Sequence, residues 1–202
     1  IPVSPKFRMQ ISKEDARKEL GLPVDKRIIL IMSGGVGCES IKPLIKKFRK
    51  YGIPEDRFYC ILAGNNAKLK ETIAKSCSSD KVQAVGFTDK VHLYLKAADV
   101  VISKSGGLSS TEVAVANVPV VHFKPIPGCE TCNARFYEAK GMSKLAKNSK
   151  EALKIAEALL GDEAEKQSMV EAQRREINAF SADDVVKRVI EVVEARNATE
   201  KE

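Results

Sequence analysis

The sequence predicts a doubly wound α/β domain of the Rossmann-like kind, a parallel sheet with helices on both faces. Three observations carry that prediction. Short apolar runs alternate with helix-like segments along most of the chain. The runs are unbroken rather than alternating, the pattern of strands covered on both faces. Glycines cluster where the runs end, at Gly34, Gly35 and Gly37, at Gly64, at Gly86, and at Gly106 and Gly107. Strands that alternate with helices imply crossover connections, and sheets built this way bind ligands beyond the carboxyl ends of their strands. The glycines therefore mark one ligand-bearing edge.

The elements follow in order. Residues 27–32 form the first apolar strand, closed by Ser33-Gly34-Gly35-Val36-Gly37. A helix over 41–51 is stopped by Gly52 and Pro54. A strand over 58–63 leads to Gly64-Asn65-Asn66, a helix over 68–76 and a third strand over 82–87. A short helix over 91–98, a strand over 100–103, a helix over 108–116 and a strand over 119–123 come next. A stiff loop over 124–128 holds Pro125 and Pro127. A helix over 133–140 and a short strand over 143–146 complete the sheet. Charged helices are expected over 151–160, 163–180 and 182–196. In the last, Val185, Val186, Val189, Ile190 and Val193 recur at helical spacing and are expected to pack onto the domain. Residues 197–202 are expected to fray.

The 202 residues are 44% hydrophobic and 30% charged, enough for one domain with a sizeable core. No run of about 18 apolar residues suggests a membrane span. The first residues, Ile1-Pro2-Val3, carry no initiator Met, so the expectation is a piece of a longer protein. The net charge of +7 suits a phosphorylated ligand or an anionic lipid surface. It is spread without a block of like charge, which argues against nucleic acid. Five scattered cysteines suggest reduced, cytosolic usage. Cys129 and Cys132 form the one close pair; a zinc or redox role competes with a plain loop, and no metal is expected.

Three motifs carry chemistry. Gly34, Gly35 and Gly37 permit either a tight turn or close approach of backbone to a ligand. They match neither a P-loop nor a full dinucleotide fingerprint. The second motif is Ser103-Lys104-Ser105-Gly106-Gly107-Leu108-Ser109-Ser110, a turn from strand to helix start. Free N–H groups at a helix start bind phosphate oxygens, and the two glycines let those oxygens approach. Ser105, Ser109 and Ser110 are expected to add hydroxyl donors. Glu112 either caps the helix or accepts hydrogen bonds from two sugar hydroxyls. The second role is preferred, because a diphosphate in the turn places a ribose nearby. The third motif runs from Phe123 through Pro125-Ile126-Pro127-Gly128 to Cys129-Glu130-Thr131-Cys132-Asn133. Glu130 and Asn133 either grip hexose hydroxyls or belong to a capped helix.

Together these residues resemble the C-terminal, donor-binding domain of family 28 glycosyltransferases, especially the monogalactosyldiacylglycerol synthase and diacylglycerol glucosyltransferase type. The resemblance rests on the early glycine turn, Gly86-Phe87-Thr88-Asp89, Lys104 to Ser109, Glu112, and Pro125 to Gly128 with Glu130 and Asn133. It implies one half of a two-domain GT-B enzyme. Residues 1–20 would lead in from an N-terminal acceptor domain, absent here, that supplies the catalytic base. The implied reaction is inverting transfer of a hexose from a UDP-sugar to a diacylglycerol-like lipid, with no cofactor, at the inner face of the cytoplasmic membrane. In this resemblance Gly34, Gly35, Gly37 and Asn66 line the donor site and Phe87 meets the uracil. Ser105, Gly106, Gly107, Leu108 and Ser109 hold the diphosphate, and Glu112 the ribose. Gly128, Glu130 and Asn133 face the sugar. A UDP-sugar 2-epimerase half and a non-catalytic nucleotide-sugar module are the alternatives. Cys129 stands where the family usually has Gln, and a thiol cannot offer an amide's paired donor and acceptor.

Overall fold

A computed structural model describes residues 1–32, 41–76, 80–123 and 125–199. Six parallel strands form one sheet: β1 (Arg27–Met32), β2 (Arg57–Gly64), β3 (Val82–Gly86), β4 (Val100–Ser103), β5 (Val120–Phe123) and β6 (Lys144–Ala146). Their spatial order is β3-β2-β1-β4-β5-β6. The expected doubly wound architecture is present.

Continuous apolar strands place successive side chains on opposite faces, and both faces are covered. Ile29 and Ile31 of β1 join one core with helices α2 (Lys42–Tyr51), α3 (Ala67–Ser76) and α7 (Ser149–Leu159). Ile28, Leu30 and Met32 join the other with α1 (Lys13–Leu20), α4 (Val91–Ala97) and α5 (Gly107–Ala116). A third cluster ties α5 to α6 (Cys129–Ala139) and α8 (Glu163–Glu176) through Ala114, Tyr137, Met142 and Ala172.

Beneath the sheet, Arg17 of α1 is 5% exposed. Its guanidinium donates to the carbonyls of Ala97, Val24 and Lys26, and to Asp99 Oδ2 at 2.7 Å. The same carboxylate oxygen accepts from the Ile28 backbone N–H at 2.7 Å. One ion pair thus locks α1 and the starts of β1 and β4 together.

Several expectations need correction. The third strand ends at Gly86, leaving Phe87 beyond it. Helix α6 begins at Cys129, four residues earlier than expected, so Glu130 and Asn133 both ride on it. α8 stops at Glu176, where Ile177 turns extended. The final helix, α9 (Ser181–Thr199), continues past the expected fraying point at 197. Its apolar stripe does not pack on the domain. Val185, Val186, Val189, Ile190 and Val193 are 50–60% exposed. The reason is geometric: both sheet faces are already closed by other helices. The start of α9 is tied to the domain. There Arg8 pairs with Asp183 at 2.6 Å, stacks over Phe180 at 4.4 Å, and Ser181 donates to the Ile1 carbonyl at 3.1 Å.

Candidate functional site: a helix start at the switch point of the sheet

The strand order reverses between β1 and β4, which are hydrogen-bonded neighbours whose chains continue to opposite sides. Doubly wound sheets open a crevice at that point, outside the carboxyl ends of the strands. Two connections leave from there. The one after β1, with Gly34, Gly35 and Gly37, lies outside the described residues. The one after β4 is the turn into α5.

Gly106 caps α5 in an extended conformation, with no side-chain capping bond. The first intrahelical bond runs from Ser110 N–H to Gly106 carbonyl at 2.9 Å. The amides of Gly107, Leu108 and Ser109 therefore precede the helical ladder and point outward, at the positive end of the helix dipole. Leu108 is exposed and Ser109 half-buried. Space at Gly107 is tight: a Cβ there would lie 2.9 Å from Ile1 Cδ1 and 3.7 Å from Asn133 Nδ2. A glycine is needed there because Ile1 and Asn133 occupy the room a Cβ would take.

Two of the expected hydroxyl donors face the wrong way. Ser105 is fully buried and its hydroxyl donates to the Glu130 carbonyl at 2.6 Å. Ser110 is fully buried with its Oγ 3.1 Å from Nε2 of His122. Both brace the turn from within, and Ser109 is left as the candidate hydroxyl. Asn133 also braces it, donating to the Ser105 carbonyl at 3.0 Å. Glu130 Oε2 accepts from the Ile126 N–H at 2.7 Å and pins the proline loop. Its Oε1 faces Gly106, 3.9 Å from where a Cβ would sit. Gly128 leads into α6 at φ 98°, a backbone angle that favours glycine.

Glu112, on the second turn of α5, is half-buried. Burial raises its carboxyl above the ordinary range, and no hydrogen-bond or ion-pair partner faces it among the described residues. A desolvated carboxylate without a partner is costly, and it is a mark of binding sites. Phe87 is 76% exposed just past β3, on the same carboxyl edge. Asn66 is placed otherwise: its Oδ1 accepts from Leu69 N–H at 2.8 Å, capping α3.

Sequence reasoning missed the layer behind the turn. His122, fully buried on β5, meets Tyr137 edge-on at 5.5 Å between ring centroids. Tyr137 Oη lies 3.4 Å from Thr111 Oγ1, which donates to the Gly107 carbonyl at 2.8 Å. Burial pushes the His122 pKa down to about 4, so the ring is neutral near pH 7. The available signal was a histidine inside an apolar strand. Cys129 and Cys132 are exposed and free. Among the described residues, no three His, Cys, Asp or Glu side chains stand close enough to hold a metal ion.

Residues 12–176 match the family model described as Glycosyl transferases group 1. The chain belongs to this family. A processive diacylglycerol beta-glucosyltransferase of Bacillus pumilus is 27% identical to this glycosyl transferase domain over 194 residues, covering 95% of this chain and 50% of that protein. The domain thus spans about half the length of the relatives it matches. Among solved structures, it is similar to Staphylococcus aureus MnaA in complex with UDP, with a TM-score of 0.65 at 20% identity, over 92% of this chain and 50% of that one. It is equally similar to a UDP-N-acetylglucosamine 2-epimerase, with a TM-score of 0.65 at 19% identity, over 87% and 45%. At these identities the structural likeness speaks for the shared fold.

Proposed function

We propose that this glycosyl transferase domain holds a UDP-sugar by its diphosphate at the start of α5, for transfer of the hexose to a diacylglycerol-like lipid. The observation that carries the reading is the pairing of an uncapped helix start with the partnerless Glu112 one turn on. The amides of residues 107–109 suit phosphate oxygens, and a carboxylate suits two vicinal ribose hydroxyls. Phe87 offers an exposed ring for the uracil. The name of the Bacillus relative supports the lipid acceptor.

In this reading the acceptor hydroxyl attacks the anomeric carbon as the bond to the β-phosphate breaks, with inversion. Charge grows on the departing diphosphate, where the outward amides and the helix dipole are preorganised to receive it. Glu130 and Asn133, beside the turn, flank the sugar. The base that takes the acceptor proton belongs to a partner half of the full protein, working at the cytoplasmic membrane surface. Titration calorimetry tests donor binding. UDP should bind this chain, and Gly107→Trp should abolish binding by filling the phosphate approach. No heat with UDP at millimolar concentration would overturn the proposal.

A further inference from the structure

On the face of the domain away from α5, helices α2 and α7 lie side by side over one core. Between them runs an open groove of about 720 Å³ lined by Lys46, Lys47, Lys50, Lys150, Lys154 and Tyr51. Among the described residues, no carboxylate lines it. Lys47 pairs with Glu157 at 3.2 Å. The other four lysines are exposed and hold no carboxylate among the described residues. Elsewhere on the molecule, Lys13, Lys18, Lys75, Lys140, Lys144 and Lys166 each pair with an acid, while Lys6, Lys68, Lys70, Lys147 and Lys187 stand singly without one among the described residues; the groove differs in gathering its lysines together. A cluster of unpaired like charge works against folding through its own repulsion, unless an anionic surface meets it.

The chemistry of the groove favours a diffuse anionic surface over a single phosphate. Its cations are all lysines, point charges on flexible stems without the fork geometry that grips one phosphate. They are spread along both helices. Tyr51, 71% exposed at the end of α2, adds an amphipathic ring of the kind found at membrane–water interfaces. Lys50 lies 5.0 Å above that ring, so charge and aromatic surface present together. α7 starts directly after β6, which puts Lys150 at the same carboxyl edge of the sheet as the start of α5. A sheet of lipid headgroups against this groove would lie beside the donor-binding edge, not across it.

We propose that the lysine groove between α2 and α7 docks this domain on an anionic lipid bilayer. The proposal rests on the lipid-acceptor reading for its biological sense, but its test is independent of donor binding. In co-sedimentation, the chain should bind vesicles of phosphatidylglycerol mixed with phosphatidylcholine. It should ignore pure phosphatidylcholine and release at high salt. Each lysine near such a surface is worth about fivefold in affinity, so Lys50→Ala/Lys154→Ala should bind about 25-fold more weakly. Its UDP affinity should be unchanged, and its melting temperature should hold or rise slightly as the repulsion is relieved. Lys18→Ala/Lys75→Ala makes the same change in net charge away from the groove and should keep vesicle binding. Equal loss in the two double variants would overturn the proposal, as would absence of binding to phosphatidylglycerol vesicles. So would release by millimolar glycerol phosphate, which would mean a discrete phosphate site, or preference for an RNA oligonucleotide over vesicles. Loss of UDP binding with vesicle binding intact would instead count against the donor-site reading alone.

Discussion

Ser110 Oγ lies 3.1 Å from Nε2 of His122, and both side chains are sealed from solvent. This pair fastens the first turn of α5 to the neighbouring strand β5. His122 Nδ1 has no partner among the described residues, so a protonated ring would carry a buried, uncompensated charge.

That arrangement fixes a pH dependence. The folded chain keeps His122 neutral down to about pH 4, whereas an unfolded histidine takes a proton near pH 6.5. Between those values the unfolded state binds more protons, so stability falls as pH drops through this window. The contribution is complete above about pH 6.5 and amounts to about 3 kcal/mol at its limit. In urea denaturation between pH 7.5 and pH 4, His122→Leu should flatten this part of the decline.

Glu112 should show a trade between stability and binding. Its carboxyl is raised by burial, so ionisation costs the free fold something at neutral pH. Glu112→Gln should raise the melting temperature slightly while weakening UDP binding about tenfold, the loss of a charge-assisted hydrogen bond. A variant that loses stability as well would place Glu112 in a structural role.

The ion pair beneath the sheet should matter for stability and not for ligand. Burial works to raise the Asp99 carboxyl, but Lys13, Arg17 and the Ile28 amide outweigh it and hold the group below the usual range. Its stabilising contribution is present at neutral pH and lost as pH falls through that lowered value. Asp99→Ala leaves the Arg17 guanidinium buried without its counter-ion and should cost about 3 kcal/mol in urea denaturation. UDP affinity should not change.

Ser105→Ala tests the inward brace. The substitution removes the bond to the Glu130 carbonyl and should cost about 1 kcal/mol. Because that bond joins the turn to α6, UDP affinity should fall with it. A Ser105 hydroxyl that instead contacted phosphate would lower affinity with no effect on the melting temperature.

Most of the scaffold was legible in sequence because unbroken apolar runs leave little choice but buried parallel strands. The α5 turn was legible because glycines after such a run have few other uses. Side-chain direction was not. A serine in a turn donates equally well outward or inward, and only α6 and β5, packed against the turn, decide that Ser105 and Ser110 point in. Helix α1 escaped notice because Lys13–Leu20 buries only Ala16 and Arg17, too few residues to show an apolar stripe. In α9 the periodicity was right and its partner was not, because a stripe reports that a helix has an apolar face and not what covers it.

The strand order has a further consequence. Strands β1 to β3 come from one continuous stretch of chain and β4 to β6 from another, and in the sheet the two meet only along β1 and β4, from Ile29 opposite Val100 to Met32 opposite Ser103. The candidate anion turn sits at the open end of that seam. A molecule seated there clasps two pieces that were folded from separate lengths of backbone. Cut in the connection at 87–90, the chain would become two fragments, and any anion that binds at the seam would favour their reassembly.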